Sequence, residues 1–412
     1  MSLAWISLGA LGIAIIVSCT SKLNVGVLAI VLAWITGVYF GGMKLDVVLS
    51  GFPTTLFVTL VGMTLLFTQA QQNKTLDKLA HRSVLICRGN TGLIPVMFFV
   101  FAVILASIGP GNIATAALLA PIAMTVAARA GIPAFLMAIM VGNGANAGSL
   151  SPFAPTGLIA SGLMAKIGLP GREWETYLYN LGAHAIVGFA GYFIFGGGKL
   201  FGRVFEGPSE EESSSMDWQN WLTAGIIVTL VLSVIFLKVN VGMGAFAGAV
   251  ILALARAGDT ASAMNKMPWN VIVMVCGVSI LTSLLEKTQG MDLFTELLAR
   301  FSTKSTITGF IAFVTGVISV YSSTSGVVLP AFLPTVQGLS ARLGGADPMA
   351  IATAINVGGH LVDVSPLSTI GALCIAAAAP GEDVRALFNK LLAWGFSMSI
   401  VGALGCWLFL GR

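Results

Sequence analysis

Charged residues are scarce in this chain. Asp, Glu, Lys and Arg make up 9% of the 412 residues, whereas 56% are hydrophobic. A soluble globular chain carries roughly 25% charged residues, so the composition excludes an ordinary soluble domain. Apolar stretches almost free of charge recur along the sequence, as is typical of helices of about 20 residues that cross a bilayer. We therefore expect an all-α polytopic membrane protein.

Several other features are missing. The first apolar stretch, residues 3–19, lacks a basic leader and a small-residue cleavage site, so we interpret it as a retained span. The five cysteines are isolated and predict neither a disulfide framework nor a metal site. The sequence has no P-loop, which argues against ATP hydrolysis, and no nucleophile or zinc motif, which argues against an enzyme. We expect no organic cofactor and no nucleic-acid partner, and no partner set for His81 or His184.

The chain contains short repeated segments. KLNVG at 22–26 returns as KVNVG at 238–242, a shift of 216 residues. SPFAPTG at 151–157 returns as SPLSTIG at 365–371, a shift of 214. In a membrane protein, a duplication with interrupted hydrophobic segments is typical of secondary transporters and indicates their binding site.

The hydrophobic pattern divides the chain into two repeats, 1–197 and 218–412, joined by a Gly-rich and acidic linker at 198–217. We predict spans at 3–19, 24–42, 52–71 and 177–197, a re-entrant hairpin at about 92–128 and a broken helix at about 132–165. The second repeat follows the same order, with spans at 218–237, 241–256, 268–286 and 385–410, a hairpin at about 305–341 and a broken helix at about 348–378. Five crossings per repeat is an odd number, so the repeats must be inverted. The result is about ten transmembrane helices plus two re-entrant hairpins, and the basic residues favour a cytoplasmic linker only weakly.

The hairpin tips are the first candidate site. They read IGPGN at 108–112 and YSSTSG at 321–326. Helix N-termini that meet at membrane depth offer free N–H groups and a positive dipole end, which bind anions. The predicted substrate contacts at the tips are Asn112, Thr115, Ser323, Thr324 and Ser325. The alternative is that these residues only cap and pack the turns.

The broken helices are the second candidate site. They read NGANAGSLSP at 143–152 and NVGGHLVDVSP at 356–366, where Pro and Gly disfavour a regular helix. Unwound carbonyls beside Asn and Ser side chains suit a small hard cation. The predicted cation ligands are Asn143, Asn146, Ser149, Ser151, Asn356, Asp363 and Ser365, and Thr156, Thr369 and His360 are added to the substrate contacts. The alternative is a proline kink used for packing.

Asp363 lies in the middle of an apolar segment, where an ionisable group is costly and functional by default. It is a candidate sodium ligand, a candidate carrier of a coupling proton, or simply the partner of His360. His360 itself has a simpler alternative role, because a buried neutral histidine often only satisfies a backbone carbonyl.

These motifs resemble the ion-transporter superfamily, in particular the divalent-anion/sodium symporters and the bacterial malonate and dicarboxylate carriers. The hairpin tips of that family carry Ser-Asn-Thr, then Ala-Thr, with a proline ten residues after the serine. Here GNIAT at 111–115 is followed by Pro121, and TSG at 324–326 is followed by Pro334. The first tip lacks the serine and the second lacks the asparagine. The broken helix resembles the family at ANAGS, 145–149, and at Thr156-Gly157.

The resemblance implies import of a small dicarboxylate, of malonate or C4 type, by symport with Na⁺ or H⁺. It also implies a homodimer in the bacterial inner membrane and an elevator-like movement of the hairpin-bearing domain. Four alternatives stay open. They are a Na⁺/H⁺-type antiporter centred on Asp363, a dicarboxylate exchanger, a passive anion channel, and a membrane enzyme whose acid/base or nucleophile set we cannot name.

Overall fold

The computed structural model describes residues 2–21, 23–76, 78, 89–205, 215–379 and 381–411. In this part of the chain the protein is built from helices, which confirms the all-α polytopic prediction. The exception is one pair of two-residue strands, β1 (Gly89–Asn90) and β2 (Val204–Phe205), which pair antiparallel. This short sheet connects the start of the first hairpin to the beginning of the linker.

The helices of the first repeat lie close to their predicted positions. In chain order they are α1 (Leu3–Thr20), α2 (Val25–Trp34), α3 (Leu45–Leu49), α4 (Thr54–Gln72), α5 (Leu93–Ile108), α6 (Gly111–Ala130), α7 (Ala134–Gly148), α8 (Pro155–Lys166) and α9 (Glu173–Ile194). A π-helical segment, Ile35–Phe40, continues α2, and a 3₁₀ turn, Gly197–Leu200, follows α9. The short helix α3 is an addition that the hydrophobic pattern does not indicate.

The predicted second repeat, residues 218–412, contains the remaining described helices. Its helices are α10 (Trp218–Leu237), α11 (Val241–Leu254), α12 (Thr260–Lys266), α13 (Trp269–Lys287), α14 (Gly290–Arg300), α15 (Ile307–Tyr321), α16 (Leu329–Phe332), α17 (Val336–Arg342), α18 (Pro348–Leu361), α19 (Thr369–Ala376) and α20 (Val384–Leu410). A π-helical turn, Thr324–Val328, leads into α16, and a 3₁₀ turn, Leu333–Thr335, connects α16 to α17. The hairpin tips are therefore the gap between α5 and α6 and the gap between α15 and the π-helical turn.

The breaks in the two interrupted helices differ from the prediction. We expected the first interruption over 143–152, but α7 stays helical through Gly148 and the break covers residues 149–154. Likewise α18 stays helical through Leu361, and its break covers residues 362–368. The glycines here do not unwind the helix; they let it approach its neighbour, because a Cβ at Gly144 would lie 2.5 Å from Phe99 O in α5.

Among the described helices, four are both long and apolar enough to cross a bilayer by themselves: α4, α6, α13 and α20. Seven further apolar stretches of 10–17 residues lie within the described helices. Helices that are too short to cross a bilayer alone span in combination, for example as the two arms of a hairpin or the two halves of a broken helix. The count of ten crossings stays a prediction.

The repeated segment KLNVG/KVNVG begins two equivalent helices. Asn24 caps α2 by accepting hydrogen bonds from the main-chain N–H groups of Gly26 and Val27. Asn240 caps α11 in the same way, accepting from Met243 N. An asparagine at this position satisfies N–H groups that have no partner within the helix, so the repeated asparagine starts both helices at the same place.

Glycines bring the two repeats into contact crosswise. Helix α2 packs on α13 of the other repeat, and α11 packs on α4. A Cβ at Gly26 would overlap Val273 O, and a Cβ at Gly277 would overlap Gly26 O. In the second pair, a Cβ at Gly242 would lie 2.6 Å from Thr59 Cα. Small residues at both crossings allow the close backbone approach that stabilises helix pairs in lipid.

The breaks also show matched contacts. A Cβ at Gly157 would overlap Ser151 O, and a Cβ at Gly371 would overlap Ser365 O. In each case a helix restarts directly against the carbonyl of the residue that precedes the proline, and only glycine leaves room. The repeated Ser-Pro and Gly therefore serve the same packing purpose in both halves of the chain.

Gly26→Ala should destabilise the protein because the new Cβ has no space against the α13 backbone. Overpacking of this kind typically costs about 1–3 kcal/mol. Gly12→Ala in α1 is the matched control, since a Cβ there meets nothing within 4 Å. Thermal unfolding of the purified protein should show a lower midpoint for Gly26→Ala alone. Equal midpoints would show that the α2–α13 crossing is looser than described.

Candidate functional site

A cavity of about 280 Å³ lies where the hairpin tips meet the two broken helices. Both tips line it, through Asn112 on one side and residues 321–325 on the other. Both broken helices line it too, through Thr156 in the first and His360, Asp363 and residues 367–370 in the second. The cavity therefore collects in one place the polar segments that lie far apart in the sequence.

Helix N-termini converge on this cavity. Its wall includes Asn112 at the start of α6, Thr156 at the start of α8, Ser325 at the start of the π-helical turn and Thr369 at the start of α19. The first N–H groups of a helix have no partner within it, and the helix dipole adds positive potential at that end. Several such ends around one space suit an anion without requiring a basic side chain.

The described wall of the cavity has one acidic side chain and no basic one. Asp363 is the carboxyl group in the wall, and no Lys or Arg is among the lining residues of the described part of the chain. Asp363 forms none of the ion pairs found between described residues. Among the described residues, the partners of the Asp363 carboxyl group are therefore hydrogen-bonding groups and not charged ones.

Hydroxyl groups hold the Asp363 carboxylate. Thr324 Oγ1 lies 2.9 Å from Oδ1 and 3.0 Å from Oδ2, and Ser319 Oγ lies 3.4 Å from Oδ1. Thr324 also contacts the Ser319 hydroxyl and lies 3.2 Å from Gly359 O. The Thr324 hydroxyl has one hydrogen and donates only one hydrogen bond at a time. Its other oxygen neighbours therefore lie around it as acceptors, close to one another.

This donor set fits a hard cation. Carboxylate, hydroxyl and carbonyl oxygens are the ligands that such ions prefer. The residues that would hold the ion are Asp363, Thr324, Ser319 and the main-chain oxygen of Gly359. No group of three or more His, Cys, Asp or Glu side chains is present within the described ranges, so a transition-metal centre is not indicated there.

The first tip makes the equivalent contact with a neutral partner. Asn112 Nδ2 donates to Asn146 Oδ1 at 2.9 Å, and both side chains are buried. Each tip therefore touches the broken helix of its own repeat. The contact is amide to amide in the first repeat and hydroxyl to carboxylate in the second, so the two halves of the site differ in charge.

The predicted substrate contacts mostly meet at the cavity. Asn112, Thr156, His360, Thr369 and residues 323–325 line it. Thr115 does not; it lies one turn further along α6, and its buried hydroxyl has no partner among the described residues.

The predicted cation ligands are not brought together in the same way. Asp363 lines the cavity, whereas the side chains of Ser149 and Ser151 donate to Asn146 O and Ser107 O. Ser365 Oγ accepts from Leu367 N. These serines hold the breaks in shape, and Asn146 O is already engaged, so the unwound carbonyls are less available to a cation than we expected.

The remaining two predicted ligands, Asn143 and Asn356, belong to a row of buried polar contacts that we did not predict. Asn143 Oδ1 lies 3.0 Å from His184 Nδ1, and Asn180 Nδ2 donates to Asn146 O at 2.7 Å. Asn356 Nδ2 lies 3.7 Å from Met164 Sδ.

The expectation that His184 has no partner is wrong, because His184 contacts Asn143. His81 lies outside the described residues. Thr176, Asn180 and His184 are spaced by four in α9, and this one-face spacing is the sequence signal we missed.

The comparisons with known proteins agree with this picture. Residues 1–149 match the family model described as dicarboxylate carrier protein MatC N-terminus. That match confirms the resemblance to dicarboxylate carriers for this part of the chain.

Among solved structures, the fold is similar to that of the Alcanivorax borkumensis YdaH transporter, described as having an unusual topology. The TM-score is 0.58 at 14% sequence identity, over 99% of this chain and 97% of that one. At this identity the likeness concerns the fold alone. No curated protein matches the sequence significantly. The family match points to a carrier and not to an enzyme, as the sequence predicts.

Thr324→Val should destabilise the cavity because it removes the hydroxyl that donates to Asp363. Leaving a buried polar group without its partner costs about 1–3 kcal/mol. Thr324→Ser keeps the hydroxyl and is the matched control. We expect a lower unfolding temperature for the valine variant than for the serine variant. If the two variants unfold together, the Thr324–Asp363 contact contributes nothing to stability.

Proposed function

We propose that the protein is a secondary transporter that imports a small dicarboxylate, of malonate or C4 type, by symport with a cation. Four helix starts that converge on one cavity, with no basic side chain among the described residues of its wall, carry this proposal. They offer a place for a small anion. The match of residues 1–149 to the dicarboxylate carrier family supports the choice of substrate class.

The charge of the cavity supports coupling to a cation. A dicarboxylate dianion entering beside Asp363 would bring three negative charges into one space. Like charges a few ångströms apart repel strongly where little water screens them. A cation held by Asp363, Thr324, Ser319 and Gly359 O would offset that repulsion. Each ligand then binds more tightly when the other is present, and this coupling is reciprocal.

We propose Na⁺ as the cation, because the candidate ligands are all oxygen atoms. The proton is the alternative, since Asp363 itself is able to carry one.

The transport movement is part of the same proposal. The crosswise packing of α2 on α13 and of α11 on α4 supports an inverted repeat, because it relates each repeat to the other in the same way. The tips and broken helices form a second body around the cavity. We propose that this body moves past the crossed helices in an elevator-like step, within a homodimer in the bacterial inner membrane.

Uptake of labelled malonate into proteoliposomes tests the proposal. We expect accumulation with an inward Na⁺ gradient and none without a gradient. Excess unlabelled malonate or succinate should compete, and sulfate should compete less. Accumulation driven only by an H⁺ gradient would replace Na⁺ with the proton. Absence of uptake under every gradient would refute the dicarboxylate proposal and favour a Na⁺/H⁺-type antiporter at Asp363, and uptake without concentration would indicate a passive channel.

Asp363→Asn should lower Na⁺-driven uptake at least about tenfold, because the neutral amide no longer attracts the cation. Asp292→Asn is the control, since Asp292 is exposed on α14 and does not line the cavity. Initial rates at matched protein content in the liposomes provide the measurement. Unimpaired transport by Asp363→Asn would remove Asp363 from the coupling site.

Ser325→Cys should react with a membrane-permeant thiol reagent, and malonate together with Na⁺ should protect it. The reason is that Ser325 lines the cavity at the start of the π-helical turn. The unmodified protein measures background labelling of the native cysteines, of which Cys276, Cys374 and Cys406 are buried. Labelling that malonate does not slow would place the substrate elsewhere.

A further inference from the structure

His360 is part of the cavity wall, and one of its ring nitrogens has no partner among the described residues. Its Nδ1 lies 2.7 Å from the main-chain oxygen of Asn356, one turn earlier in α18. A carbonyl oxygen only accepts hydrogen bonds, so Nδ1 carries the ring hydrogen and donates it. Nε2 of the neutral ring is then an acceptor, and it is buried without a partner among the described residues.

No donor among the described residues hydrogen-bonds to that nitrogen. His360 is 1% exposed and forms part of the cavity wall, so Nε2 is the ring nitrogen that is left for a ligand of the cavity. Asp363 adds further acceptor oxygens to the same wall. The other titratable groups described around this position are Tyr321, in the wall, and His184, within electrostatic range on α9 with its own Nε2 unpartnered.

A fully ionised dicarboxylate does not complement this arrangement. All four of its oxygens are acceptors, and one carboxylate is satisfied by the N–H groups of the helix starts. Even with a cation at Asp363, the second would face His360 Nε2, acceptor against acceptor. A buried acceptor that stays unpaired weakens binding. One added proton on the second carboxylate supplies the missing hydrogen-bond donor. It also removes one negative charge from the cavity.

We propose that His360 is a specificity-determining residue that selects the monoprotonated form of the dicarboxylate. The ionised carboxylate lies at the helix starts of the hairpin tips. The protonated carboxyl group donates its O–H to His360 Nε2, whose orientation is fixed by the hydrogen bond from Nδ1 to Asn356 O. This inference rests on the proposed function of dicarboxylate binding.

Two analogues of malonate separate the donor from the charge. Malonamate carries one carboxylate and an amide whose N–H groups donate without ionising. Monomethyl malonate carries the same charge but has no donor. The inference predicts that malonamate binds and that its affinity stays constant with pH, whereas monomethyl malonate binds at least about tenfold more weakly.

The pH dependence of dicarboxylate binding identifies the group that carries the proton. Equilibrium binding of malonate and fluoromalonate to the purified full chain, at constant Na⁺, should weaken above the second pKa of each ligand, by about tenfold per pH unit. Fluorine withdraws electrons and lowers that pKa, so the fall should begin at lower pH for fluoromalonate. If both ligands lose affinity at the same pH, a protein group is responsible and the inference is overturned.

Variants of His360 test the acceptor directly. His360→Leu should lower malonamate affinity at least about tenfold, and His360→Gln should retain more of it because the amide oxygen is able to accept. Thermal unfolding of both variants serves as the folding control. If both His360 variants misfold, the two analogues and the two pH profiles still test the selection of the monoprotonated ligand on the unmodified protein.

The outcomes distinguish the inference from the function on which it rests. Malonate binding without malonamate binding overturns the selection of a donor and leaves the transporter proposal intact. Equal affinity for malonamate and monomethyl malonate does the same. No binding of malonate, fluoromalonate or either analogue at any pH overturns both.

Discussion

The arrangement of the site depends on one electrostatic constraint, the presence of the Asp363 carboxylate in a cavity that has no basic side chain in its described wall. Burying a charge among apolar helices is expensive unless it is hydrogen-bonded or neutralised. Thr324 and Ser319 provide hydrogen bonds, and the helix starts provide a diffuse positive potential. An anionic substrate makes the imbalance larger. A cation, a proton on the substrate, or both are the physical means of balancing it.

The two repeats supply similar geometry with different chemistry. The same Ser-Pro break and the same restarting glycine occur in both, at Gly157 and Gly371. The tip of the first repeat meets a neutral asparagine, Asn146, and the tip of the second meets Asp363. Two segments of matching sequence thus provide one neutral and one charged side of the site. This asymmetry suits a site that must hold an anion and a cation together.

Much of the fold follows from the sequence because apolar periodicity and glycine or proline positions determine helices locally. The positions of the helices on either side of each tip were predictable in this way. The capping by Asn24 and Asn240, and the contact of one tip with Asn146 and of the other with Asp363, were not predicted. The exact breaks were not, since Asn143 and Gly144 stay helical once tertiary packing against α5 favours it. The pairing of His184 with Asn143 was missed because it joins two helices, and sequence spacing shows only one helix face at a time. Which serines would face the cavity and which would hold the breaks depends on side-chain direction, which the sequence alone does not provide.

The most direct test of the account is the mutual dependence of cation and anion binding in purified protein. The affinity for malonate should be measured without Na⁺ and at saturating Na⁺, and the affinity for Na⁺ without malonate and at saturating malonate. The account predicts that both affinities rise by the same factor, of about tenfold or more, because the two ligands offset each other's charge in one cavity. Affinities that do not depend on the other ligand would contradict it.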